Sequence, residues 1–179
     1  MSRKIQVGVI DYGGGNIRSL IQALESLGTS PVLVTSPEGM ASLTHLFFPG
    51  QGAFGDCMTK LRNLDLGDPI VEWIQADKPF FGICIGYQLL FESSEESPGI
   101  DGLSILEGKV IRFVEEGFKV PHMGWNGAKL QDPACGPWTN LGAEPYFYFV
   151  HSYYPCLLYT SHAADERSSV DLGGRRIIK

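Results

Sequence analysis

One cysteine in this chain stands where a nucleophile could be presented. Phe80-Phe81-Gly82-Ile83-Cys84-Ile85-Gly86-Tyr87-Gln88 reads as a buried strand that ends at Cys84 and turns at once into a helix. Glycines two residues before and two after the cysteine repeat the layout of the G-x-S-x-G elbow. Such a turn needs glycine, because only glycine lets strand and helix approach closely while the nucleophile is held in a strained conformation. At a helix N-terminus the dipole and free backbone N–H groups favour the thiolate, and the N–H of Ile85 is placed to meet an oxyanion. That is the chemistry of acyl transfer through a thioester. A glycine-flanked cysteine is also what a packed core produces, since free cysteine is among the most buried residue types. A second loop, Pro49-Gly50-Gln51-Gly52, leaves another apolar strand. Its glycines would let a backbone N–H turn towards a developing negative charge, although a tight turn before a helix reads the same way.

The elements that must position these loops follow from periodicity. Residues 5–10 form a strand, and Asn16 caps a helix over residues 17–27, where Ile17, Leu20, Ile21, Leu24 and Leu27 recur at helical spacing. Gly28 ends that helix. Strands follow at 31–35 and 46–48, helices at 54–64 and 69–76, and a fourth strand at 79–83. Apolar strands alternating with helices imply a mostly parallel sheet covered on both faces, with ligands expected at the carboxyl ends of its strands. Beyond residue 100 the pattern changes: 109–113, 119–123 and 146–154 read as strands without helices between them, an antiparallel extension of the same sheet. No repeat or linker divides the chain. From Pro155 onward neither a strand period nor an amphipathic helix is legible.

Bulk properties exclude several function classes. A net charge of −6 argues against a nucleic-acid or anionic-membrane surface, which needs a concentrated basic face. No stretch reaches the roughly 18 apolar residues that a bilayer crossing requires. The start, Met1-Ser2-Arg3-Lys4, runs straight into the first strand, without a signal-peptide cleavage site. Cys57, Cys84, Cys135 and Cys156 are scattered without a CxxC pair, as expected of reduced thiols in a cytoplasmic protein.

The elbow with Gln88 and the Pro49–Gly52 loop together resemble the class I glutamine amidotransferases, which use a cysteine, a histidine and a glutamate to release ammonia from glutamine. Three further segments narrow the resemblance to the glutaminase subunits of imidazole glycerol phosphate synthase, of histidine biosynthesis. They are Asp11-Tyr12-Gly13-Gly14-Gly15-Asn16-Ile17-Arg18-Ser19, Lys119-Val120-Pro121-His122-Met123-Gly124-Trp125-Asn126 and Tyr148-Phe149-Val150-His151-Ser152-Tyr153-Tyr154. Read alone, the first lacks the spacing of a dinucleotide or P-loop motif, and Trp125 and His151 would be core or interface residues. Five motifs in order span residues 5–154.

The resemblance implies a flavodoxin-like α/β fold in which Cys84 attacks the glutamine side-chain amide. It places the oxyanion hole at the amides of Gln51 and Ile85. It gives Gly50, Gly52, Gln88, Glu96, Ser152 and Tyr153 a part in holding glutamine. It puts Asn16, Trp125 and Asn126 at the interface with a separate (β/α)₈-barrel cyclase subunit, which receives the ammonia in a heterodimer. No metal or organic cofactor is implied.

The pattern fails at one place. The family's base is the histidine of a His-Pro-Glu run, in which residues two apart in an extended segment face the same way, so that the glutamate orients the histidine. No such run occurs here; the only later histidine is His162, with Glu166 four residues on. The expectation is an incomplete amidotransferase domain over residues 1–154, lacking the family's last strand and helix. A foreign or frame-shifted tail would follow over 155–179. Competing readings are an amidotransferase serving another synthase, such as that of anthranilate, and a catalytically dead module that docks on a barrel partner.

Overall fold

The computed structural model describes residues 5–114, 119–128, 141 and 144–156. Strands β1 (Val7–Ile10), β2 (Val32–Val34), β3 (His45–Phe48) and β4 (Phe80–Gly82) form a parallel sheet in the order β2-β1-β3-β4. Val9 lies opposite Leu33 on one side and Phe47 on the other, and Phe47 lies opposite Phe81. Alternation along each strand sends side chains to two faces. Val7 and Val9 meet Leu24 of α1 (Ile17–Ser26). Ile10, Leu46 and Phe48 join the larger cluster with α2 (Phe54–Asn63) and α3 (Gly67–Gln75). Phe48, Phe54 and Leu61 are fully buried there, each contributing roughly 1.5–3 kcal/mol by leaving water.

Capping follows the sequence expectation at α1. The Asn16 side chain accepts a hydrogen bond from the Ser19 N–H at 3.3 Å. The helix stops at Ser26, one residue before the expected end, and Gly28 takes a φ of 79° while its N–H reaches the Glu25 carbonyl at 2.9 Å.

The second half differs from the expected extension of one sheet. β5 (Phe91–Ser94), unforeseen in sequence, runs parallel to β6 (Leu106–Arg112), and β9 (Tyr153–Cys156) pairs with β6 antiparallel. β7 (His122–Gly127) and β8 (Tyr146–His151) form a separate antiparallel ladder. The strand expected over 119–123 therefore starts later and runs further; Pro121, without an N–H to give to a ladder, stays outside it. The strand expected over 146–154 breaks at Ser152, whose carbonyl accepts from the Phe113 N–H at 3.0 Å, so that its halves serve different sheets. Pro155 and Cys156, expected to be without strand structure, face Val110 and Lys109 in β9. Proline is tolerated at this edge position. The remaining tail, including His162 and Glu166, lies outside the described residues.

Candidate active site

Cys84 follows β4 after one residue, Ile83, and adopts φ 55° and ψ −117°. A non-glycine residue held there is strained by about 1–3 kcal/mol, which persists only where its surroundings impose it. The flanking glycines are what impose it. A Cβ on Gly82 would lie 2.9 Å from the Tyr87 Cα, and one on Gly86 would strike the Phe48 carbonyl oxygen of β3. The elbow is thus pressed against the neighbouring strand, with the Ile83 N–H bonded to that same carbonyl at 2.9 Å. Cys84 is exposed.

The helix it opens is a single turn. α4 spans only Ile85–Gln88. A single turn carries little dipole, so the expected stabilisation of the thiolate is not what the electrostatics give. Packing of protein around the sulfur pushes the Cys84 thiol above its ordinary value; the Ile85 backbone N–H opposes this, and the Glu96 carboxylate adds to it. The neutral thiol is therefore the resting form at neutral pH, and reactivity grows as pH rises towards and beyond the usual thiol range.

The second loop does converge on the elbow. A Cβ on Gly50 would collide with the Ile85 side chain and the Tyr12 hydroxyl, and would lie 3.4 Å from the Gly86 nitrogen. Gln51 is exposed, its carbonyl accepting from the Cys57 thiol at 3.6 Å, and Gly52 follows at φ 111°. The Gly13–Asn16 turn closes the group from the other side, since a Cβ on Gly15 would come within 3.1 Å of the Gly50 Cα. Gln88 lies one turn after Cys84, bonded through its N–H to the Cys84 carbonyl at 3.2 Å, and is buried. Glu96 is near enough to act on the Cys84 sulfur, and one carboxylate oxygen accepts from the Phe54 N–H at 2.8 Å.

The other expected site residues have different surroundings. Ser152 and Tyr153 are half-buried at the β8–β9 turn. There the Tyr153 carbonyl meets His151 Nδ1 at 2.9 Å. His151 Nε2 lies 3.3 Å from His122 Nδ1, and the Asn126 side-chain nitrogen contacts His122 Nε2. Both His151 nitrogens are thus engaged, one by His122 of β7 and the other by the Tyr153 carbonyl of β9. Trp125 is 67% exposed and packs edge-on against Tyr148 across the ladder, with ring centroids 5.6 Å apart. Asn16 spends its side-chain oxygen on the α1 cap.

Two features of the site escaped the sequence reading. Tyr12 lies beneath the Gly50 loop with its ring edge-on to Phe48, and its buried hydroxyl has only the weak Cys57 thiol as a polar neighbour among the described residues. Burial first, then the Cys57 and Cys84 sulfurs, pushes its pKa up. The second is Ser97, whose hydroxyl accepts from the Gly55 N–H at 2.9 Å. A signal for it existed in the sequence: the residue before α2 is Ala53, which cannot cap a helix, so a cap had to come from elsewhere.

A cysteine on a strained strand-to-helix turn, faced by a glycine loop from the adjacent parallel strand, defines a class of α/β protein equipped for thioester chemistry. The family model for glutamine amidotransferase class-I matches residues 8–158. The imidazole glycerol phosphate synthase subunit HisH of Synechococcus elongatus is 46% identical over 155 residues, 86% of this chain and 71% of that one. The HisH subunit of Desulfitobacterium hafniense is 43% identical over 148 residues, 83% of this chain and 69% of that one. The chain belongs to the class-I glutamine amidotransferases, in the branch of the HisH subunits of imidazole glycerol phosphate synthase. Solved structures agree on the fold. A glutamine amidotransferase crystal structure superposes with a TM-score of 0.64 at 22% identity, covering 82% of this chain and 71% of that one. PurLQS from Thermotoga maritima gives 0.61 at 20% identity, covering 84% of this chain and 68% of that one.

Proposed function

We propose that the chain is the glutaminase subunit of a cytoplasmic imidazole glycerol phosphate synthase, with Cys84 as its nucleophile. The conformation of Cys84 carries this reading, because a residue held at φ 55° between two glycines is aimed rather than merely packed. The Cys84 sulfur would attack the carboxamide carbon of glutamine while its proton leaves with the departing nitrogen. The products of that step are ammonia and a glutamyl thioester. Water then cleaves the thioester, giving glutamate and returning the thiol. The amides of Ile85 and Gln51 would receive the oxyanion, and Gln88, Glu96, Ser152 and Tyr153 would hold the amino acid.

Proton transfer is the weak point. The 179 residues contain no His-Pro-Glu run, and we assign the chain low turnover on its own. A second reading, a docking module with negligible chemistry, draws on the same observation. Ammonia release from glutamine, with and without a cyclase subunit, separates them: stimulation by cyclase supports the glutaminase, and no release in either case supports the module. We also propose that the residues after 158, where the family match ends, lie outside the amidotransferase domain.

The cyclase would dock on the β7–β8 ladder. Met123, Trp125, Tyr146, Tyr148 and Val150 are all exposed, and Met123 and Trp125 sit directly across the ladder from Val150 and Tyr148. Apolar and aromatic side chains massed on one face are interface anchors. Trp125→Ala is expected to weaken co-purification with the cyclase by about tenfold or more while leaving glutamine binding within about twofold. A larger effect on glutamine binding than on the partner would contradict the placement.

A further inference from the structure

The start of α2 shows how the glycine loop is held against the elbow. The first N–H groups of a helix have no partner inside it, and Ala53 offers no side-chain acceptor. Two residues 42 positions away supply the missing bonds: Glu96 accepts from the Phe54 N–H at 2.8 Å and Ser97 from the Gly55 N–H at 2.9 Å. The Ser94 hydroxyl accepts from the Glu96 N–H at 3.2 Å, which holds the accepting loop in shape. A Cβ on Gly55 would come within 2.9 Å of the Ser97 hydroxyl, so glycine is what lets the loop approach this closely. α2 in turn reaches the other loops, through the Lys60 ammonium on the Gly13 carbonyl at 3.2 Å and the Cys57 thiol on the Gln51 carbonyl.

We propose that Glu96 and Ser97 are positioning residues that cap α2 from a distance and thereby hold the Pro49–Gly52 loop in register with Cys84. The inference rests on the reading of Cys84 as the glutamine nucleophile, and it gives Glu96 a second task beyond that of touching substrate. Only one of its carboxylate oxygens faces the Phe54 N–H. The other would take the amino group of glutamine.

The test uses the full chain and three variants, Ser97→Ala, Glu96→Ala and Glu96→Gln. Two readouts are needed: amide hydrogen exchange at Phe54 and Gly55, and the rate at which Cys84 reacts with a chloroketone analogue of glutamine, divided by its rate with iodoacetamide. Ser97→Ala is expected to speed exchange at Gly55 by about five- to tenfold, the usual worth of a helix cap, and to lower the rate ratio by a similar factor. Glu96→Ala should do the same at Phe54. Glu96→Gln, whose side-chain carbonyl still accepts, should keep Phe54 protected. Unchanged exchange in both Ser97→Ala and Glu96→Ala would overturn the proposal, as would faster exchange with an unchanged rate ratio. If the unaltered protein shows no preference for the glutamine analogue, the reading of Cys84 fails; the exchange data still decide whether the cap exists.

Discussion

Joining a segment that carries a His-Pro-Glu run after Cys156 is expected to raise cyclase-stimulated ammonia release by roughly a thousandfold or more. The reason lies in what the described residues of the site hold and what they do not. Cys84 is strained and exposed, and the glycine loop lies against it. Its thiol, however, is pushed up by the protein packed around the sulfur and by Glu96. A neutral thiol needs a base to take its proton and an acid to give one to the departing ammonia. Neither histidine of the β7–β8 ladder is free for this work, since His151 is engaged by His122 and by the Tyr153 carbonyl. A histidine set opposite Cys84 and oriented by a glutamate would supply both transfers. Steady-state ammonia release by the joined and unaltered chains, each saturated with cyclase, measures the difference. Equal rates, or turnover by the unaltered chain that is lost when His151 is replaced, would contradict the assignment of a missing base.

The parallel half of the molecule was legible in the sequence because its signals are local. Apolar runs at residues 5–10 and 46–48, the spacing of Ile17, Leu20, Ile21 and Leu24, and the glycines around Cys84 each state their own structure. The segments beyond α4 depend on partners far along the chain. Phe91-Glu92-Ser93-Ser94 is polar at three of four positions and comes soon after a helical segment, so nothing nearby marks it as the strand that β6 makes of it. Ser152 divides two strands because Phe113 takes its carbonyl. Glu96 was expected at the site from resemblance alone, and its bond to Phe54 spans 42 residues. The thiol was misjudged for a similar reason. Strand-then-helix predicted dipole activation, whereas the helix is one turn long and burial decides the sign.

Gly86→Ala should cost about 3 kcal/mol, lowering Tm by roughly 6–12 °C. The methyl group would be driven into the Phe48 carbonyl of β3, and strand backbone cannot give way as a flexible side chain would. Relief requires moving α4 away from the sheet, which would also carry Ile85 away from Gly50. Loss of Cys84's preference for a glutamine analogue should therefore accompany the loss of stability. Gly28→Ala is the control. Gly28 has a φ of 79° with open space around it, so alanine there bears only the left-handed penalty of about 1–2 kcal/mol. Thermal unfolding of both variants, with labelling below the transition, reads both effects. A Gly86→Ala protein as stable as the parent would mean that the elbow is not packed as described.

The central claim is that Cys84 is the nucleophile of a glutamine site, and mapping the labelled thiol tests it most directly. The unaltered chain is treated with the chloroketone analogue of glutamine over a pH series, with and without excess glutamine, and digested to locate the adduct. Cys84 should carry the label ahead of Cys57, Cys135 and Cys156. Its rate should climb as pH rises through and beyond the ordinary thiol range, because its pKa is raised, and excess glutamine should slow it. Label shared evenly among the four cysteines, or absent from Cys84 at every pH, or indifferent to glutamine, would contradict the claim.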